Sequence, residues 1–302
     1  MAAVVPPEIA PRLEGNIVVG DNRRIGFAEF GHPDGPAVVW MHGTPGGRRQ
    51  VPHEARSYAQ RNGIRVIGID RPGIGSSTPH VYSSMRHFAE DLEILADRLG
   101  LNEFVMVGLS GGGPYTLASA HELSDRIKAV GVLGGVAPTV GVDAIGGGAV
   151  SIARYAAPAL KVIRVPMAMG LTGVLRAARP FANTAIDLYA RSSPEGDREL
   201  LGRPEFKAMF LDDILNASRK QISAPLADVL LFARHWGFEL ADVEVPVTWW
   251  HGDADHIVPF EHGEHMVKRL PTAELRRLPG QSHLGGLGVG EEVLDTLLAA
   301  KR

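Results

Sequence analysis

The sequence predicts an α/β fold with a doubly wound, mostly parallel sheet and an inserted helical cap, and three observations carry that expectation. Short runs rich in Val and Ile alternate with amphipathic segments through the first 135 residues. The same rhythm returns after residue 244. Between the two stretches, residues 136–243 are helical in pattern, punctuated by proline, and offer no good strand. Strands alternating with helices imply right-handed crossovers between parallel neighbours. A helical insertion between two such strands is how a cap over a cleft is written. The expected division is a core of residues 1–135 and 244–302 and a cap of residues 136–243.

Taken in order, Ile17 to Val19 and Ile25 to Phe30 read as an opening hairpin around Asp21-Asn22. Ala37 to Met41, Arg65 to Ile69, Phe104 to Leu109 and Ile127 to Leu133 are near-continuous apolar runs. Such runs suit parallel strands buried on both faces. Ser84 to Leu99 places Phe88, Leu92, Leu95 and Leu99 at helical spacing, with Arg86, Glu90, Asp91 and Asp97 off the stripe and Gly100 as a C-terminal cap. Near the end, Val245 to His251 reads as a strand, Glu261 to Leu270 as a helix, Ala273 to Leu278 as a strand and Gly290 to Ala300 as a helix. Within the insertion, Phe206, Met209, Phe210 and Ile214 form one apolar stripe, and Leu226, Val229, Leu230 and Ala233 another.

Composition narrows the class. With 45% hydrophobic and 22% charged residues, the 302-residue chain has ample material for a core. A net charge of −3 gives no reason to expect a nucleic-acid partner. The chain has no cysteine, which excludes disulfides, thiolate catalysis and Cys-ligated zinc, and fits a reducing compartment. Met1 to Gly15 lacks the basic and apolar regions of a signal peptide, so a cytoplasmic location is expected. The charge-poor stretch Ala129 to Ala153 contains Pro138 and many glycines, and reads as strand plus loop, not as a membrane span.

The chemistry centres on Gly108-Leu109-Ser110-Gly111-Gly112, directly after the run Phe104 to Val107. A buried strand running into Gly-x-Ser-x-Gly and then a helix is the sequence form of a nucleophile elbow. Such a turn holds the serine in a sparsely populated backbone conformation at a cost of about 1–3 kcal/mol. Gly108 and Gly112 remove side chains that would collide where strand and helix pack around the bend. A serine hydroxyl needs a base to take its proton and a third group to orient that base. Both follow downstream. His251-Gly252-Asp253-Ala254-Asp255-His256-Ile257-Val258-Pro259 lies at the end of an expected strand, and Gln281-Ser282-His283 follows the last one. His283 is the candidate base.

These residues, with the order Ser…Asp…His, resemble an α/β-hydrolase. The family's acid commonly stands in the fourth place of Gly-x-x-Asp-x-x-Val-Pro. Gly252, Asp255, Val258 and Pro259 match that pattern, so the resemblance gives Asp255 the acid role, with Asp253 as the competing carboxylate. His42-Gly43-Thr44-Pro45-Gly46 is similar to the family's HGxPG oxyanion loop. It implies the backbone N–H groups of Thr44 and Gly111 as oxyanion donors, with His42 organising the loop. Asp70-Arg71-Pro72-Gly73-Ile74-Gly75-Ser76-Ser77 is similar to the D-x-x-G-x-G-x-S turn of these hydrolases and is taken as structural. The resemblance covers residues from about 15 to 135 and 245 to 302.

The implied activity is hydrolysis of a small-molecule carboxylic ester through an acyl-enzyme, with no cofactor and no metal. An aspartate at the place of Ser110 would mark epoxide hydrolases and haloalkane dehalogenases, so those chemistries are disfavoured. Proline iminopeptidases share the loop and the serine; they need a cap carboxylate to hold a substrate amine, for which Glu195, Glu199 and Glu205 are available. Carbon–carbon bond hydrolases share the triad. A receptor that binds without turnover is a different class of reading, and an intact triad with an oxyanion loop argues against it. His262 and His265, with Glu261 and Glu264, read as a solvated helix face, not as metal ligands. Arg154, Lys161, Arg164, Arg176, Arg179 and Arg191 interleave with Met167, Met169, Leu171, Val174 and Leu175. That pattern is read as an amphipathic cap packed on the core with its charges in water; the alternative is a surface for lipid-like substrates or a membrane.

Overall fold

The computed structural model of the protein describes residues 10–148, 153–219 and 222–300. Most of Met1 to Gly15, the stretch expected to carry no signal peptide, and the side chains of Arg154 and Lys161 lie outside the described residues. Among the described residues eight strands form one sheet: β1 (Leu13–Val18), β2 (Arg24–Gly31), β3 (Ala37–Met41), β4 (Arg65–Ile69), β5 (Phe104–Leu109), β6 (Ile127–Leu133), β7 (Val247–Gly252) and β8 (Ala273–Leu278). Their order is β1-β2-β4-β3-β5-β6-β7-β8. β1 and β2 join the sheet antiparallel, and every pair from β4 to β8 is parallel.

Side chains alternate across this sheet with the period of two that a strand dictates. Val39, Met41, Met106 and Trp249 face one core, with Phe88 and Leu92 of α2 (Phe88–Arg98), Leu117 of α3 (Gly113–Glu122) and Met266 of α9 (Phe260–Val267). Val38, Trp40, Val107 and Trp250 face the other, with Ala55 and Ala59 of α1 (His53–Arg61) and Leu294 and Leu297 of α10 (Gly290–Ala300). Both faces are covered, which is why β3 and β5 are apolar at every position that carries a side chain. β3 lies between β4 and β5, so the crossovers leave its two sides in opposite directions. A crevice opens at such a reversal, outside the carboxyl ends of the strands. The segments after β3 and β5 are His42–Gly46 and Ser110–Gly112, and the fold brings them together for this reason.

Element boundaries depart from the sequence reading in instructive ways. β1 begins at Leu13, not Ile17, because backbone pairing with β2 holds its polar first half in register from Leu13↔Glu29 onward. Asp21 and Asn22 turn the chain with φ of 53° and 57°, a region Asp and Asn tolerate better than most residues. β7 starts at Val247, after Pro246, which has no N–H to give a ladder. α1 had no apolar stripe to reveal it: it buries Ala55, Ala59 and the stem of Arg56.

Between β6 and β7 the chain forms α4 (Ala153–Ala178), α5 (Ala182–Ser192), α6 (Glu195–Gly202), α7 (Pro204–Ala217) and α8 (Ala224–Phe232). Ala157 and Leu160 of α4 pack on Leu226 and Leu230 of α8, and Leu171 and Leu175 pack on Ile74, Ala217 and Ile222. Not every apolar residue of this segment packs inward. Val162 is 82% exposed and Met169 71% exposed, and Val174 and Phe181 also face outward. α4 has apolar residues around most of its circumference and one packed side. Among the described residues no helix is long and apolar enough to cross a membrane.

Candidate active site

Ser110 stands where β5 bends into α3, with φ of +49°. A non-glycine residue is held there only by its surroundings. A Cβ on Gly108 would come within 2.7 Å of Thr116 Oγ1 and 2.8 Å of the Gly112 carbonyl oxygen. A Cβ on Gly112 would meet the carbonyl oxygens of Met41 and His42, both at 2.7 Å. The strand, the helix and the loop after β3 therefore touch at backbone distance. Gly108→Ala is expected to destabilise the fold by about 1–3 kcal/mol, the usual cost of overpacking. A thermal melt checks this, and an unchanged midpoint would contradict it.

His283, in the loop after β8, places Nε2 2.9 Å from Ser110 Oγ and Nδ1 2.8 Å from Asp255 Oδ2. Asp255, in the loop after β7, accepts the Ile257 and Val258 N–H groups on Oδ1 at 2.8 and 2.9 Å. A second imidazole faces the same carboxylate: His251 Nε2 lies 3.3 Å from Asp255 Oδ2. His251 Nδ1 accepts the Trp249 indole N–H at 3.1 Å, so its proton sits on Nε2, which donates to the Val258 carbonyl at 2.9 Å. Burial pushes the Asp255 carboxyl up, but hydrogen bonds from His251, His283 and Val258 outweigh it and hold the group well below the usual carboxylate range. Ser110, Asp255 and His283 are all buried. Asp253 is elsewhere, accepting from Arg277 at 2.8 Å and the Gly280 N–H at 2.7 Å.

The loop after β3 is fixed at several points. His42 Nδ1 donates to the Gly43 carbonyl at 2.7 Å and Nε2 accepts the Arg71 N–H at 3.0 Å. Burial, with Arg71 nearby, lowers its pKa well below the usual range, so the ring is a neutral spacer. Gln50 Oε1 accepts the Gly43 N–H at 2.7 Å. Thr44 abuts the elbow: a Cβ on Gly111 would lie 2.5 Å from Thr44 Oγ1. The Thr44 N–H has no acceptor among the described residues. Asp70 holds the following turn, accepting from the Arg48 N–H at 2.8 Å and the Ser76 N–H at 3.1 Å.

Several residues at the site carry no sequence motif. Asp213 of α7 accepts the Gly47 and Arg49 N–H groups at 2.9 and 3.0 Å, pinning the loop from the inserted segment. Burial pushes its carboxyl up to about 7, with Asp70 adding and the two N–H groups and Arg56 opposing. A carboxyl raised in the folded state costs stability as pH rises from its unfolded value of about 4 towards 7. Asp213→Asn should flatten that fall, which denaturant melts across this range would show; an unchanged slope would contradict it. Asp197 of α6 is buried and accepts the Leu284 N–H at 2.8 Å, next to His283. By contrast, Glu195, Glu199 and Glu205 are exposed.

The reading of His262 and His265 as a solvated face is overturned. His262 is buried, because the loop after β6 lies over α9: a Cβ on Gly147 would be 3.5 Å from His262 Nε2, and His265 Nε2 donates to the Asp143 carbonyl at 2.7 Å. Among the described residues no three His, Asp or Glu side chains converge as metal ligands.

An elbow serine, a histidine and a carboxylate at the strand ends of a doubly wound sheet define a class. The chain belongs to the alpha/beta hydrolase fold family, whose model matches residues 36–287. It is 33% identical over 121 residues to a proline iminopeptidase of Xanthomonas citri, a match covering 39% of this chain and 38% of that protein. A proline iminopeptidase of Arabidopsis thaliana is 30% identical over 131 residues, 42% of this chain and 34% of that one. The chain thus matches little more than a third of these relatives' length. Solved structures match over nearly the whole chain. The esterase RhEst1 from Rhodococcus sp. ECU1013 has a TM-score of 0.65 at 20% identity, covering 95% of this chain and 99% of that one. A bromoperoxidase from Bacillus anthracis has a TM-score of 0.65 at 21% identity, with 95% and 100% covered. At these identities the likeness is one of fold.

Proposed function

We propose that the protein is a serine hydrolase that cleaves small-molecule carboxylic esters through an acyl-enzyme, with residues 136–243 as a cap over the site. The observation that carries this reading is the hydrogen-bonded chain Ser110 Oγ–His283–Asp255 at a strained elbow beside the loop of Thr44. Ser110 Oγ adds to the ester carbonyl while His283 Nε2 takes its proton. The carbonyl oxygen becomes an oxyanion, met by the Thr44 and Gly111 N–H groups. Collapse expels the alkoxide, which takes the proton from His283. Water then adds to the acyl-enzyme by the same route, and the acid leaves with Ser110 restored. Asp255 keeps the His283 proton on Nδ1 and stabilises the imidazolium.

A second reading, release of an N-terminal residue from a peptide, is favoured by the likeness to proline iminopeptidases. It needs a carboxylate in the cleft for the substrate amine. Glu195, Glu199 and Glu205 are exposed, and Asp197 commits Oδ1 to the Leu284 N–H while its buried Oδ2 has no partner among the described residues, which makes it the carboxylate this reading would use; the ester reading is preferred because it needs no such group. Turnover of p-nitrophenyl esters from acetate to palmitate, set against a prolyl arylamide, separates the two. Ester cleavage lost in Ser110→Ala supports the first. Arylamide cleavage with no ester turnover establishes the second.

A further inference from the structure

The turn after β4, read from sequence as purely structural, sends one side chain into the centre of the site. Arg71 is buried, and its guanidinium reaches both halves of the proposed oxyanion hole. Nη2 donates to the Gly43 carbonyl at 2.9 Å and Nη1 to the Gly111 carbonyl at 3.0 Å. The Gly43 carbonyl belongs to the same peptide unit as the Thr44 N–H, and the Gly111 carbonyl lies across the Gly111 Cα from the Gly111 N–H. Nη2 also donates to Thr44 Oγ1 at 2.6 Å, and that hydroxyl donates to Asp228 Oδ2 at 2.8 Å. Asp228 stands on α8 in the inserted segment, and its Oδ2 accepts from Arg71 Nη1 at 2.8 Å. Tyr115 of α3 completes the set, donating its hydroxyl to Asp228 Oδ1 at 2.9 Å, with Arg71 stacked 5.1 Å from its ring centre.

We propose that Arg71 is a positioning residue that clamps the Thr44 and Gly111 halves of the oxyanion hole together, and that Asp228 holds the clamp from the inserted helices. The inference rests on the serine-hydrolase reading. Arg71 and Asp228 are each about 1% exposed, so the pair is not a surface for solvent or for a rim contact. A buried ion pair is weak support for stability, because desolvation offsets its attraction; here it is spent on fixing backbone groups. Geometry also selects arginine over lysine. Two carbonyls, a hydroxyl and a carboxylate are met by the planar fork of one guanidinium, which a single ammonium cannot reproduce. The charges of Arg71 and Asp228 cancel, so the effect on a developing oxyanion is one of position, plus polarisation of the Gly43–Thr44 peptide through its carbonyl. It also ties the hole to the insertion: if α8 lifts, Asp228 leaves with it and the clamp loosens.

The test uses the full chain with an ester it turns over, in wild type, Arg71→Lys and Tyr115→Phe, with a boronic acid as oxyanion probe. Ser110 Oγ adds to boron while its proton passes to His283, giving a tetrahedral boronate whose oxygen occupies the hole. Arg71→Lys should lower kcat by about 10–10²-fold, less than the 10²–10³ of a removed oxyanion donor because the donors are displaced and not lost, with KM and product-carboxylate inhibition nearly unchanged. The boronic acid Ki should rise by the same factor. Tyr115→Phe should move kcat and boronate Ki together by a smaller factor, and it decides the matter if Arg71→Lys does not fold. Unchanged kcat and boronate Ki in folded variants would overturn the clamp. So would a rise in KM and product Ki at constant kcat, which would make Arg71 a substrate-binding group. Wild type that forms no fluorophosphonate adduct on Ser110 would overturn the hydrolase reading and the clamp together; an adduct with indifferent variants overturns the clamp alone.

Discussion

Ser110→Ala is expected to lower ester turnover by about 10⁴-fold or more while leaving the thermal midpoint close to wild type. The alanine methyl fits wherever the serine Cβ does, so the backbone at φ +49° changes little. What disappears is the atom that adds to the carbonyl. Without it only binding and the oxyanion donors act on the ester, and residual rates in such variants are of the order of 10³–10⁴ over water. Because His283 Nε2 has its short contact to Ser110 Oγ, His283→Gln should be about as damaging, and the double variant little worse than either single one. Residues that act as a unit are not additive. Neither substitution removes the proposed donors of Thr44 and Gly111, so product inhibition should persist in all three.

Asp255→Asn is the second large effect, expected at about 10³–10⁴ in kcat with KM nearly unchanged. The geometry says why so conservative a change fails. Ile257 and Val258 both donate to Oδ1, so the amide carbonyl of an asparagine must occupy that place. Its NH2 then faces His283 Nδ1, donor against donor. The ring is relieved only by moving its proton to Nε2, where it can no longer accept from Ser110. Steady-state kinetics with a pH profile measures this. Less than a tenfold loss in a folded variant would mean that Asp255 does not set the His283 tautomer. Asp253→Asn serves as the control and should leave kcat within about twofold, since its partners are Arg277 and Gly280 at the surface.

How far the site was legible in the sequence follows from how each part is specified. Ser110 is written locally, because the bend dictates glycines at Gly108 and Gly112 whatever the rest of the chain does. His283 and Asp255 are written by position, each just beyond an apolar strand. The parallel core strands were legible because burial on both faces leaves them almost wholly apolar. The supporting residues were not. Arg71 and Asp228 are 157 positions apart, Gly47 and Asp213 166 apart, and Asp197 and Leu284 87 apart. Each joins the core to the insertion, and no periodicity or spacing links two such residues. His262 misled for a related reason: its helix looks polar alone, and only the loop over it makes it buried. His251 was read as the end of a strand, yet the fold turns its imidazole onto the same carboxylate that holds His283.

In the proposed reaction Ser110 is the nucleophile that carries the acyl group. Intact-protein mass spectrometry after brief exposure to a fluorophosphonate, followed by peptide mapping, tests it most directly. One adduct per chain is expected, on Ser110, with labelling slowed in His283→Gln and absent in Ser110→Ala. No adduct on a folded protein, or one on any residue other than Ser110, would contradict it.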